Sequence, residues 1–403
     1  MKYPHVSRLL LFAGTIAITV SGGIAQTASD GPYKIVQTSQ LMGTGGIDYV
    51  FADSVNRYLY VPRGNSVLTF NLDTLQPATP IPGLMGGHGV AVDPVSGHGF
   101  SSSNPILMWD AKTLQPIKTI VPPPGCRPDG ILFEPLTERI YVLSHASPNI
   151  CVIDAKDGSI VGTIDLGGGP EQAQSDGQGH VYVDIEDKDS VGVVDVKTMK
   201  LTATYSLNGK GGGPGGLGLD AQNQILFAFC HQPATAVILS ATSGQILDTL
   251  PIGNGVDGGG FNPATMEAFS SQGDGTLTII KESSPTSFAV EQTVKTMPRA
   301  KTCTLDAKTN HIIVIATDRP PAPSPGASPA AGASPAAATS PIAAASASPQ
   351  NPPPPGGGPG QYGGSPGGPG GPGGGPGGGP GGGRRGGFYR GPAMLHILVV
   401  GQQ

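Results

Sequence analysis

The chain of 403 residues is poor in the residues that usually advertise a chemistry. It has four cysteines, Cys126, Cys151, Cys230 and Cys303, with no close spacing among them. That excludes a thiolate metal finger and a C-x-x-C redox pair. It has a single tryptophan, and aromatic residues make up 5% of the chain. Charged residues are 13%, with a formal charge of −5. A balance so sparse and slightly acidic argues against a dedicated binder of duplex DNA. No G-x-S-x-G elbow, H-E-x-x-H helix or C-x-x-C-H haem attachment occurs outside the low-complexity stretch 318–392.

Long hydrophobic runs are also scarce. The one near the start, Leu9 to Val20, follows Lys2 and Arg8 and precedes Gly23-Ile24-Ala25. A basic start, a short apolar run and small residues at the cleavage positions predict a secretory signal, residues 1–25. The run is too short and too broken by Gly and Ser to span a bilayer. No membrane span is expected after cleavage, and the protein is expected in the periplasm or outside the cell. Loss of Lys2 and Arg8 takes the formal charge from −5 to −7. An exported chain can pair its cysteines. Cys126 with Cys303 is the candidate pair, while Cys151 in NICVID and Cys230 in LFAFC read as buried free thiols on core strands.

What the chain does have is repetition. FADSVNRYLYV, VDPVSGHGF, FEPLTERIYV, SDGQGHVYV, LDAQNQILFA, FNPATMEAF and LDAKTNHIIV are seven copies of one β-hairpin. A third strand follows in each full copy, as in VLTFNLDTLQ and ICVIDAKDGS, and then a more polar fourth, as in LTATYSLNGK. Four short antiparallel strands every ~43 residues are the signature of a propeller blade. The fold class expected is all-β, a seven-bladed β-propeller over residues 26–317, with residues 393–403 as its final strand. The last blade lacks its outer strand, and YKIVQTSQLMGTGG near the start is an outer strand with no blade of its own. Pairing the two closes the ring and hides the sheet edges.

Residues 318–392 interrupt that last blade. They hold 24 of the 64 glycines and 19 of the 41 prolines, a composition that cannot bury a core. The segment is expected to be disordered, running from Pro/Ala/Ser-rich to Gly/Pro-rich. Arg384, Arg385, Phe388, Tyr389 and Arg390 are its cluster suited to contact with cell wall or polysaccharide.

GGIDYVFADSVNRYLYVPRGNSVLTFNLDTLQ, GHGVAVDPVSGHGF, RPDGILFEPLTERIYVL and GVDGGGFNPATMEAFSSQGDGTLTII resemble the YncE-like family of bacterial proteins, built on the YVTN propeller repeat. The resemblance covers nearly all of 33–317 and 393–401. It implies an exported seven-bladed propeller with no activity uniform across the family, one member of which binds single-stranded DNA. Single-strand binding needs aromatics beside basic residues. Here the lone Trp109 sits at a strand end. The long insertion and the Gly-rich GKGGGPGGLGLD depart from the family pattern.

Aligning the repeats places Asp48, His88, Asp129, Glu171, Gly215, Asp257 and Thr302 at equivalent entries to the innermost strand. They should ring one mouth of the central channel, flanked by Arg127, Arg299 and Lys301. The ligand-binding candidates are therefore Asp48, His88, Arg127, Asp129, Glu171, Asp257 and Arg299. Blade five is expected to offer only backbone. His88, set between glycines, leads the candidates. His98, His180 and His311 in turns or strand ends, and the other histidines singly elsewhere, read as surface. The ring suits a divalent cation such as Ca²⁺, or a cationic ligand. Its crowded carboxylates should raise one another's pKa. These features imply a monomeric binding or scaffold propeller whose partner is a small ligand or an envelope protein, bound at the channel mouth or loop face. A metal-dependent hydrolase of the lactonase kind is the alternative.

Overall fold

Each repeat turns on one polar side chain that does the same work seven times. Asp53 accepts the backbone N–H groups of Val55 and Asn56 at 3.0 and 2.9 Å. Asp93, Glu134, Asp176, Asp220, Asn262 and Asp306 occupy the equivalent place and also accept turn N–H groups. All seven are buried. A side chain that satisfies turn donors fixes the reversal and lets the flanking apolar runs pair. The propeller hairpin is thus a local consequence of sequence.

The computed structural model describes residues 30–318 and 392–403. Seven sheets of four antiparallel strands follow one another in chain order. Their innermost strands are Phe51–Asp53, Val90–Asp93, Ile131–Glu134, Pro170–Ser175, Pro214–Asp220, Val256–Asn262 and Thr302–Asp306, for blades one to seven. Each neighbours the next, and the last returns to the first. The chain is a seven-bladed β-propeller. Second and third strands are buried on both faces, as in Tyr58–Arg63, Asn149–Asp154 and Ile225–Cys230. The outer strands, such as Pro116–Ile120 and Lys200–Ser206, are largely exposed. Apolar clusters fill the seams between adjacent blades; Tyr60 and Trp109, from blades one and two, meet in one of them. No helix of the described residues is long and apolar enough to cross a membrane. The expected signal (1–25) and the body of the expected insertion (318–392) lie outside the described residues.

Blade seven closes the ring. Its sheet runs from Thr302–Asp306 through His311–Asp318 and Pro392–Gln402 to Tyr33–Thr44, so the first described strand is the outer edge of the last blade. Tyr33 pairs with Gln402 and Thr44 with Pro392. Further clasps hold this seam. The Tyr33 hydroxyl donates to Glu267, and Tyr33 exchanges two backbone hydrogen bonds with the Gln292 amide at 2.8 and 2.9 Å, both on blade six. On the other side, buried Arg63 of blade one donates to the carbonyls of Leu41, Gly43, Gly45 and Ala393.

Arg57 of blade one also grips Asp306 of blade seven through two nitrogens, at 2.7 and 2.8 Å. Burial pushes the Asp306 carboxyl up, but hydrogen bonds from Arg57, Thr309 and Ser54 outweigh it and hold it at about 2. The folded pKa lies below the ordinary 3.8, so this stabilisation is complete above about pH 4 and lost as pH falls toward 2. Denaturant midpoints measured from pH 5 to pH 2 should therefore fall more steeply for the wild type than for Asp306→Asn. Equal slopes would show that the pair adds nothing.

Candidate functional site

The mouth is assembled from chain entries to the innermost strands. Tyr49 N–H donates to the His88 carbonyl and His88 N–H to Ser102, while Asp129 N–H donates to Leu143. The first bond ties the entry segments of blades one and two together, and the other two fix His88 and Asp129 to the ends of the second strands of their own blades. Gly130 keeps the next boundary open: a Cβ there would stand 2.7 Å from the Glu171 carbonyl oxygen.

Two clusters result. In the first, His88 Nδ1 lies 2.8 Å from Asp48 Oδ2 and 3.3 Å from Asp129 Oδ1, so three blades meet on one nitrogen. In the second, His145 Nδ1 lies 2.8 Å from Glu171 Oε1, and its Nε2 lies 3.6 Å from Glu186 Oε2. Tyr49 joins the two clusters. It follows Asp48 in the chain, and its hydroxyl donates to Glu171 Oε2 at 2.8 Å. Burial raises the Tyr49 pKa well above 10.0, with Glu171, Asp48 and Asp129 adding, so the phenol stays a donor. Burial likewise lifts Asp129 to about 6, with Asp48 adding and His88 opposing. Burial, with Glu171 adding, raises Asp184 well above 3.8, and neither of its oxygens has a hydrogen-bond partner.

The structure therefore brings together Asp48, His88, Asp129 and Glu171. Asp257 is paired with Lys301. Thr302 is buried at the channel wall. Arg127 and Arg299 are exposed, and among the described residues neither forms an ion pair with a carboxylate.

Two readings of the sequence need correction. Blade five does not offer backbone alone, because the His231 imidazole lies over Gly215, where a Cβ would come within 2.9 Å of Nε2. Burial, helped by Lys301 and opposed by Glu171, lowers the His231 pKa. Nor is His145 a surface histidine. His145, Glu186 and His231 each immediately follow the second strand of blades three, four and five, Arg139–Ser144, His180–Ile185 and Ile225–Cys230. Aligning the ends of second strands, as well as the starts of first strands, would have found them.

Cys230 is a buried free thiol as expected, but the other three cysteines differ from expectation. Cys126 pairs with Cys151 across 25 residues, and Cys230 and Cys303 are buried free thiols. Cys126 sits in the entry loop of blade three and Cys151 on that blade's third strand, so the two meet within one blade. Cys303 is on blade seven and out of reach. The disulfide ties down the loop three residues before Asp129.

Behind the mouth runs a channel of about 610 Å³, lined by the innermost strands of blades one to four, six and seven. Glu171 and Tyr49 stand at one end, Pro94, Pro135 and Ser175 at the other. Gln172 reaches across toward blades five and six. Its Oε1 accepts the N–H groups of Leu217 and Gly259 at 2.9 and 3.1 Å, and its Nε2 donates to the Gly259 carbonyl.

No family model and no curated protein matches the chain. Solved structures share the fold. A chain of the "Crystal Structure of Mitotic Checkpoint Complex" matches with TM-score 0.61 at 12% identity, over 76% of this chain and 96% of that one. "Structure of U3-55K" and "Crystal structure of RRP9 WD40 repeats" each match with TM-score 0.56 at 11% identity, over 72% of this chain and 92% of theirs. At such identities the likeness is one of fold alone, a β-propeller.

Proposed function

We propose that this protein is an exported, YncE-like propeller that binds rather than transforms, and that it takes a positively charged ligand or partner group at the acidic mouth of its channel. One observation carries the reading. Asp48, Asp129, Glu171 and Glu186 converge from blades one, three and four around two imidazoles, and Lys301, which flanks the ring, is already paired with Asp257. A concave, low-dielectric rim with surplus negative charge attracts cations. The Cys126–Cys151 disulfide suits an oxidising compartment, as the leader-like start does. A propeller found within a multiprotein complex, as for the checkpoint neighbour, fits a scaffold role for this chain.

Thermal unfolding in the presence of spermine tests the reading. Bound at ~100 times its Kd, the polyamine should add ~2.7 kcal/mol, a rise of several degrees. Asp48→Asn with Glu171→Gln should lose the rise, and a dianion should give none. Equal shifts in wild type and variant would place binding elsewhere and end the proposal.

A further inference from the structure

We propose that the mouth is a site for divalent transition-metal ions, one held by Asp48, His88 and Asp129 and a second by His145, Glu171 and Glu186. The inference rests on the cation-binding reading above and narrows its ligand. Within each triad, one nitrogen and one oxygen from each carboxylate lie within 4.8 Å of one another. Such spacing suits three donors around one ion at ~2.0–2.2 Å from each.

Hydrogen bonding alone leaves the arrangement poorly explained. A single Nδ1–H serves one acceptor well, yet carboxylates from two other blades face His88 Nδ1, at 2.8 and 3.3 Å. The second acid gains little from that proton and sits close to its like-charged neighbour. An ion accepting the nitrogen lone pair and both oxygens satisfies all three groups together. The same composition, one imidazole and two carboxylates, recurs at His145, built from different strands. There the Pro170 carbonyl also lies 3.3 Å from Nδ1 and helps to set the orientation of the ring. Tyr49 donates to Glu171 Oε2 and orients that carboxylate. Orienting donors of this kind accompany metal ligands.

The donor set selects the metal. Ca²⁺ and Mg²⁺ take oxygen ligands, and here one donor in three is an imidazole. That favours Zn²⁺ and its first-row neighbours over the Ca²⁺ that carboxylates alone suggest. Three protein donors at an open mouth also leave coordination positions for water or for a partner's side chain.

The test is metal content. The full chain, purified without a histidine tag, is dialysed to equilibrium against Zn²⁺ with and without a hundredfold excess of Ca²⁺, and bound zinc is measured by elemental mass spectrometry. Wild type should hold two ions per chain, unchanged by Ca²⁺. His88→Ala and His145→Ala should each hold one, and the double variant none. Metal-free unfolding temperatures of the variants should match wild type, which separates lost ligation from lost folding. Asp129→Asn, which preserves volume, provides a second route to loss of the first ion. Overturning results are a wild type that binds no zinc, or histidine variants that keep both ions. If zinc fails while spermine still binds, the metal inference falls and the cation-binding reading stands. If both fail, both fall.

Discussion

Removing residues 30–44 is expected to leave a chain that no longer folds cooperatively. The deletion takes away the outer strand of blade seven, which pairs along the length of Pro392–Gln402. It also removes Tyr33 with its clasps to Glu267 and Gln292, and it strips two of the four carbonyls that satisfy the buried Arg63 guanidinium, those of Leu41 and Gly43. A buried charge left without its acceptors costs several kcal/mol by itself. With the lost strand this is comparable to a domain's whole stability of ~5–15 kcal/mol. The strand uncovered carries Leu395, Ile397, Leu398, Val399 and Val400, a free apolar edge of the kind that aggregates. The truncated protein should appear largely in the insoluble fraction, and any soluble part should melt without a sharp transition. A peptide of residues 31–46 added during refolding should restore the transition by adding back the strand. A truncated chain that melts at the wild-type temperature would show that the ring does not depend on this closure.

Gly218→Val is expected to be nearly as damaging, at a position with no chemistry at all. The innermost strands of blades five and six lie backbone against backbone. A Cβ on Gly218 would stand 2.8 Å from the Gly260 carbonyl oxygen, and one on Gly216 would stand 2.9 Å from the Gly258 carbonyl carbon. Backbone cannot swing aside as a side chain can, so the blades must part. Overpacking of this kind costs ~3 kcal/mol or more, and the opening also breaks the Gln172 bridge to Leu217 and Gly259. Gly162→Ala is the control. It meets the Met199 methyl at 3.0 Å, the mobile end of a flexible side chain, and should cost under ~1 kcal/mol. Chemical denaturation of the three proteins compares them directly. Equal stability for Gly218→Val and wild type would refute the close-packing explanation of the Gly-rich blade.

The run GKGGGPGGLGLD stands out in the sequence as a departure from its repeats, and nothing in it says why. The reason lies in its neighbours: the backbone of Gly258, Gly259 and Gly260 in the next blade fills the Cβ space of Gly216 and Gly218, while Gly258 in turn faces Cys303 of blade seven and Gly259 and Gly260 face the Phe229 and Phe269 rings. Half of the mouth was legible in the same uneven way. Asp48, His88, Asp129 and Glu171 share a repeat position, so periodicity alone predicts their ring. His145, Glu186 and His231 share a different position, at the end of the second strand, and a single alignment frame passes over them.

Sequence by itself determined the repeat, the hairpin turns and the way the ring closes. Those depend on local features: alternation of apolar residues, and turn acids such as Asp53 and Asp93 that satisfy donors two and three residues away. An outer strand at one end and a blade missing one at the other require no more than counting. Tertiary structure alone decided which groups touch. It placed Cys126 against Cys151 rather than Cys303, because a blade folds its own third strand beside its entry loop while blade seven lies elsewhere on the ring. It also put two carboxylates from separate blades on one imidazole nitrogen. Contacts between blades depend on the angle and radius at which seven sheets pack, and no local pattern in the chain encodes either.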